Sequence, residues 1–335
     1  MPPSELHKIL SLKSGAVLVT TAITFWLPTS QTDAVTIAKD ARQEIQSEQS
    51  PFLLSGRLGP GYLSGEAHEY VYWPEEGGRT ASELVWDISS VTMFGIGASV
   101  RPLNRLNINA DFWFNLGEGG GHLIDYDWLE QGKDWTHRSI HENTDVTKAQ
   151  IYDINMEVTM FSSGTVTCIG IAGYRHDIFE WEARGGSYIY SDNGFRNSSG
   201  TFPPNVHGIT YEQSFNAPYL GIGVKGDFDS FQITARVTGS TFAGGKATDQ
   251  HFRHYLITHD NFSRENTWWA LAFGFTYPIN KAMAIRASYS YERYDTMKGD
   301  TEWHYYDFEE RENYTDAAGA DLKTSLLFLE LSYRF

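Results

Sequence analysis

The feature that most constrains this chain is a rhythm in its breakers. From Phe52 onward, strand-like segments are separated by two kinds of interruption that take turns. One kind is short: Arg101-Pro102-Leu103-Asn104, Ser162-Ser163-Gly164, Gly226-Asp227-Phe228-Asp229 and Pro278-Ile279-Asn280-Lys281. The other is long and polar. It comprises PEEGG from Pro74, GEGGGHLIDYDW through Asp145, the stretch from Ala183 to Gly208, GGKATDQHFRHYLITHDNFSREN, and KGDTEWHYYDFEERENYTDAAG. Four short and five long connections join about ten strands, an even number, as single-chain outer-membrane barrels require. Tight periplasmic turns alternating with long extracellular loops are the mark of such barrels. The expected fold is therefore an all-β, ten-stranded antiparallel transmembrane barrel over residues 52–335.

Period-two alternation supports the strands. In Leu106–Phe114, Leu, Ile, Ala, Phe and Phe share one face, and Asn107, Asn109, Asp111 and Trp113 share the other. In Met283–Tyr294, Arg286, Ser288, Ser290 and Glu292 fall together. The last strand aligns Leu327, Leu329, Leu331, Tyr333 and Phe335, ending on an aromatic in the manner of outer-membrane assembly signals. Aromatic residues make up 15% of the chain, which suits the two aromatic girdles of a barrel. The mean hydropathy of −0.38 disfavours a helical membrane protein, whereas barrel strands are apolar on one face only. A formal charge of −16 disfavours nucleic acid and favours cationic partners. The acidic last connection, with Glu302, Asp307, Glu309, Glu310 and Glu312, reads as a solvated face. The one cysteine, Cys168, excludes an intrachain disulfide and reads as a small packing residue.

The start of the chain has a different character. Lys8 and Lys13 precede the apolar run Gly15–Leu27, which is followed by Pro28 and small polar residues. This is the pattern of a secretory signal peptide, and the run is short for a bilayer span. The expected division is a signal peptide over 1–34, with cleavage between Ser30 and Ala38, then a flexible polar start over 35–51.

Two pairs of side chains carry the candidate chemistry. Asp125 and Asp127 lie in the second long connection or at the end of its strand; Asp249 and His251 lie in the fourth. At i, i+2 spacing on extended chain, each pair points to one face. The second and fourth long connections of a ten-stranded barrel occupy roughly opposite walls of its mouth. Asp249 can fix one tautomer of His251 and raise its basicity. His251 can then take a proton from a water held between the walls. Asp125 and Asp127 repel one another, so one can keep a proton near neutrality and serve a developing oxyanion. Hydrolysis by an activated water follows, with no covalent intermediate.

At these residues the chain resembles the omptin family of outer-membrane proteases, over nearly the whole of 52–335. Val71–Arg79 (VYWPEEGGR) is similar to the family's first-loop block, and Asp125–Trp128 to its Asp-x-Asp-Trp. Trp135-Thr136 with Ser139 and His141 resembles its W-T-x-x-S-x-H block, and Ala183–Ser191 its signature, continued by Gly194-Phe195-Arg196. Asp249-Gln250-His251 resembles its Asp-x-His. The resemblance implies an endopeptidase at the extracellular mouth of a ten-stranded outer-membrane barrel, and a monomer is the expected state. Asp125, Asp127, Asp249 and His251 would flank the attacking water, with Ser139 and His141 in support. Cleavage beside basic residues of cationic peptides is implied, with Glu69 reading the basic side chain.

The resemblance has gaps. A second pocket acid is Ala247 here, and an acid in the W-T-x block is His137. No metal or other cofactor is expected. Lipopolysaccharide is the family's activating lipid, bound through a Tyr-x-Glu-x-Arg motif. The corresponding run is Tyr174-Arg175-His176-Asp177-Ile178, in which only the tyrosine is kept, and a further family arginine aligns with Ser214. The dependence on lipopolysaccharide is therefore expected to be altered. The rival readings are an adhesive or ligand-binding barrel with a relic site, a passive porin, and a metalloenzyme using histidines such as His122, His137, His141, His251, His254 and His259.

Overall fold

Alternating side chains in long extended segments leave the backbone one economical solution, which is to pair edge to edge until no edge remains. The structure is a computed structural model that describes residues 53–335; the signal-like segment 1–34 and the polar start 35–51 lie outside them. Among the described residues there are thirteen strands. They are β1 (Leu53–Trp73), β2 (Arg79–Leu103), β3 (Leu106–Asn115), β4 (Gly119–Asp127), β5 (His137–Ser163), β6 (Val166–Arg184) and β7 (Ser187–Tyr190). The remainder are β8 (Ser198–Thr201), β9 (His207–Asp227), β10 (Gln232–His251), β11 (Leu256–Pro278), β12 (Met283–Tyr305) and β13 (Glu310–Arg334).

All pairings are antiparallel, and the ring closes. The first strand pairs with the last, Gly56 opposite Tyr333 and Tyr62 opposite Leu327. The amide of Phe335 donates to the Leu54 carbonyl at 3.0 Å. β3 and β4 share one place, both lying between β2 and β5, and the β7–β8 hairpin hangs from β5. Ten positions around the barrel remain, as the breaker rhythm predicts.

The main strands are far longer than a bilayer needs: β5 has 27 residues and β13 has 25, against about 10 for a tilted crossing. Their short-turn halves carry the exposed apolar side chains, including Leu58, Ile96, Ile154, Leu220, Ile222, Phe273, Leu327 and Leu329. These form the outward belt that faces lipid. The opposite halves stand above the belt. Most residues of the long polar connections are strand there, and the true tips are short: 74–78, 128–136, 252–255 and 306–309. Asp249 and His251, expected in a loop, therefore lie on β10, and Asp125 and Asp127 on β4. The periodicity argument misses this because both faces of a strand beyond the membrane can be polar, so its sequence reads as loop.

The interior is filled in two layers. Toward the short turns it is polar and ion-paired. Arg57 Nε donates to Asp111 at 2.7 Å, Lys225 Nζ to Glu157 at 2.6 Å, and Arg175 bridges Asp177 at 3.0 Å and Glu292 at 2.5 Å. Toward the long connections it is aromatic. Trp86, Trp181 and Tyr211 stack with centroids 5.3 to 5.9 Å apart, and Phe179 extends the stack. A filled lumen suits a scaffold that holds a site better than one that conducts.

Candidate active site

The site stands on that aromatic layer, between two walls. One wall is β4, backed by β2 and β5. Leu84 and Ser82 of β2 pair with Asp125 and Asp127, and Ser139 and His137 of β5 pair with them from the other side. The other wall is β10, where Tyr211 of β9 and Thr258 of β11 flank Asp249. Around the ring, β4 reaches β10 by way of β5, β6 and β9 on one side and by β2, β1, β13, β12 and β11 on the other. The two pairs thus face each other across the barrel's mouth.

On the β10 wall, His251 Nε2 and Asp249 Oδ2 form a close ion pair. Asp249 is buried, while the His251 side chain keeps 22% of its surface. With Nε2 given to Asp249, Nδ1 is the imidazole nitrogen left for a reactant. Burial by itself would lower the His251 pKa. The attraction and hydrogen bond of Asp249, reinforced by Asp125 and Asp127, overcome it and push the pKa up to about 9.

On the β4 wall, burial raises the Asp125 carboxyl well above the usual range, and repulsion from Asp127 adds to this. Burial also raises Asp127, against a hydrogen bond from Ser82. The supporting chain orders the protons. His141 Nδ1 lies 2.7 Å from the Gly185 carbonyl, so it carries the hydrogen. Burial holds the ring neutral by lowering its pKa. His141 Nε2 must then accept from the Ser139 hydroxyl at 3.0 Å. Ser139 Oγ also stands 3.5 Å from Asp125 Oδ2, linking the His141 ring to that carboxyl. Ser82 Oγ donates to Asp125 Oδ1 at 3.2 Å.

Local structure keeps this chain in place. Phe202 stacks flat on His141, 5.4 Å between centroids with 3° between planes. Gly186, at φ 108°, passes so close that a Cβ there would sit 2.3 Å from the Ile140 carbonyl oxygen. Thr136 N donates to the Asp127 carbonyl at 2.6 Å, and Arg196 Nε to the Trp135 carbonyl at 2.8 Å. The signature segment thereby clamps the tip that follows β4. Ser139→Ala is expected to keep the barrel and lower kcat on the order of ten- to a hundredfold, through a misplaced Asp125. An unchanged kcat on a fluorogenic peptide would show that the contact has no role.

The residues named from the sequence come together: Asp125, Asp127 and Asp249 act on His251, and His141, bonded to Ser139, feels His251 in turn. Glu69 of β1 is buried at 4% exposure, and the charges of Asp249 and Asp125 act on it. His137 stands opposite Asp127 and draws its pKa down. Sequence reasoning missed Ser82, and also Asp260, whose place in the β10–β11 ladder needs the register to be known. Among the described residues no three His, Cys, Asp or Glu side chains are grouped as a metal ion would need.

Comparisons with known proteins agree on the kinship of this arrangement. The omptin family model matches residues 51–335. A plasminogen activator of Yersinia pestis is 30% identical over 302 residues, which cover 89% of this chain and 95% of that one. The outer membrane protease OmpP of Escherichia coli (strain K12) is 30% identical over 289 residues, covering 85% and 91%. The crystal structure of the outer membrane protease OmpT from Escherichia coli aligns with a TM-score of 0.80 at 25% identity, covering 86% of this chain and 99% of that one. A ten-position barrel with paired carboxyls at its mouth, matched along almost its whole length, belongs to the omptin family.

Proposed function

We propose that this chain is an outer-membrane endopeptidase that opens peptide bonds beside basic residues, with its cleft on the extracellular side. The observation that carries the reading is the Asp249–His251 ion pair, whose imidazole feels the carboxyls of Asp125 and Asp127, the former raised by burial and by repulsion from the latter. Its omptin relatives are named as proteases of the outer membrane. A water held between the walls loses a proton to His251 Nδ1 and attacks the scissile carbonyl carbon. The protonated carboxyl of Asp125, ordered by Ser139 and Ser82, donates to the oxyanion as it forms. Collapse of the tetrahedral intermediate breaks the C–N bond, and the imidazolium returns the proton to the leaving amine. Asp249 fixes the tautomer and stabilises the imidazolium.

The direct test is hydrolysis of a dibasic fluorogenic peptide by purified, refolded protein, with and without lipopolysaccharide. Turnover in either arm supports the reading; none in both favours a binding barrel. Turnover that a chelator abolishes and zinc restores would replace the mechanism with a metal-assisted one. The two arms also measure lipid dependence. Tyr174 is exposed on the outer face, while Arg175 and Asp177 of the same run turn inward and pair with each other. The outer face therefore lacks the acid and the arginine of the family motif. Stimulation by lipopolysaccharide is accordingly expected to be weak.

Glu69 is the residue assigned to the basic side chain. Glu69→Gln is expected to lower kcat/KM for a basic substrate about a hundredfold, since it removes the charge partner of a desolvated cation. Hydrolysis of a neutral analogue should change little. Equal losses on both substrates would count against the assignment.

A further inference from the structure

Beside the Asp249–His251 pair lies a group of buried polar side chains that the mechanism does not use. Asp260 on β11 stands directly across the ladder from Ala247 on β10, and Gln213 on β9 stands across from Ala247 on its other side. Directly opposed residues of antiparallel strands share a face. Ala247 is two residues from Asp249, so all three point where Asp249 points. On the next strand Thr301 opposes Asp260. Glu69 of β1 feels the charges of both Asp249 and Asp260.

Glu69 and Asp260 are 4% and 6% exposed, and neither belongs to an ion pair among the described residues. Oε2 of Glu69, both amide atoms of Gln213 and the Tyr211 hydroxyl are buried without a hydrogen-bond partner among the described residues. Burying carboxyls and amides in this state is costly, and such groups are normally satisfied. The cost shows in the titration of the two acids. Burial, with repulsion from neighbouring carboxylates, holds Glu69 well above its usual range and pushes Asp260 up to about 7. The open acceptors Glu69 Oε2 and Gln213 Oε1, beside the Asp260 carboxyl, call for one ligand feature: a cation at the end of a long stem, with several N–H donors. The guanidinium of an arginine has five, and the small side chain of Ala247 stands between Gln213 and Asp260 in the ladder.

We infer that Asp260 is a specificity-determining residue that, with Glu69 and Gln213, receives the basic side chain of the substrate beside the scissile bond. This rests on the proposed assignment of Glu69 to that side chain. The ladder explains why β11 can serve. A carboxyl at 260 and a carboxyl at 247 would arise from opposed Cβ atoms about 5 Å apart, so either strand can place a charge in the same space.

The test uses the mature protein and two fluorogenic peptides that differ only in arginine or its neutral isostere citrulline. The readout is the ratio of their kcat/KM values. Asp260→Asn is expected to lower the ratio at least tenfold, with the citrulline peptide hydrolysed nearly as before. Ala247→Asp added to Asp260→Asn should restore most of it. Ala247→Lys leaves Asp260 in place but gives it an internal cation, and should lower the ratio as well. Heat-modifiable migration reports folding of each variant. A ratio unmoved by both Asp260→Asn and Ala247→Lys, while Glu69→Gln lowers it, would overturn the role of Asp260 alone. A ratio near one in the unaltered protein would overturn the basic-residue reading itself.

Discussion

Replacing His251 or Asp249 with alanine is expected to abolish peptide cleavage, with a loss of at least a thousandfold in kcat, while the barrel stays intact. General-base catalysis alone contributes on the order of 10²- to 10⁴-fold. Removing Asp249 also frees the imidazole to adopt the wrong tautomer. The barrel does not need either side chain. It is held by the ladder pairings of β10 with β9 and β11 and by an interior that packs beneath the site. Heat-modifiable migration in gels, retained while fluorogenic turnover disappears, is the expected pair of results. Full activity in either variant would remove the proposed mechanism.

The second large effect is on pH. The Asp249 pairing, with help from Asp125 and Asp127, overcomes burial and carries the His251 pKa from the usual 6.5 to about 9. A base acts only when deprotonated, so kcat/KM should climb with pH from about 6.5 toward 9. The slope should approach tenfold per pH unit, as the neutral fraction does. Stability runs the other way. A histidine whose pKa is raised on folding stabilises the fold fully below its unfolded pKa, and that contribution is lost as pH rises through about 9. Carboxyls raised by burial, such as Glu69 and Asp125, act in the same direction, because the fold disfavours their ionised forms. Thermal unfolding in detergent should therefore fall as the pH moves from 6.5 to 9, while activity rises. Activity that is flat across that window would show that His251 is not the base.

Particular residues show how far the sequence could be followed. The alternation in Leu106–Phe114 puts Asn109 and Asp111 on one face, and the structure turns that face to the interior, where they meet Asn155 and Arg57. The outward Leu327, Leu329 and Leu331 are equally plain. Beyond the membrane that guide fails. Gly119–Asp127 and Thr248–His251 read as loop because water replaces lipid outside the barrel, and polar residues then suit both faces. The hydroxyl of Ser82 and the carboxyl of Asp260 could not be tied to the site, since their neighbours lie on other strands.

Sequence alone determined the barrel, its ten positions, and the two i, i+2 pairs on which a hydrolytic reading rests. These are local properties: a period of two and a turn length are written in adjacent residues. Only the tertiary structure decided which oxygen meets which nitrogen, that burial and Asp127 raise the Asp125 carboxyl, and that Asp260 stands beside Ala247. Register between strands is a long-range quantity, and a shift of one residue turns every side chain to the other face. The charge state of a buried carboxyl depends in turn on neighbours that only that register brings near.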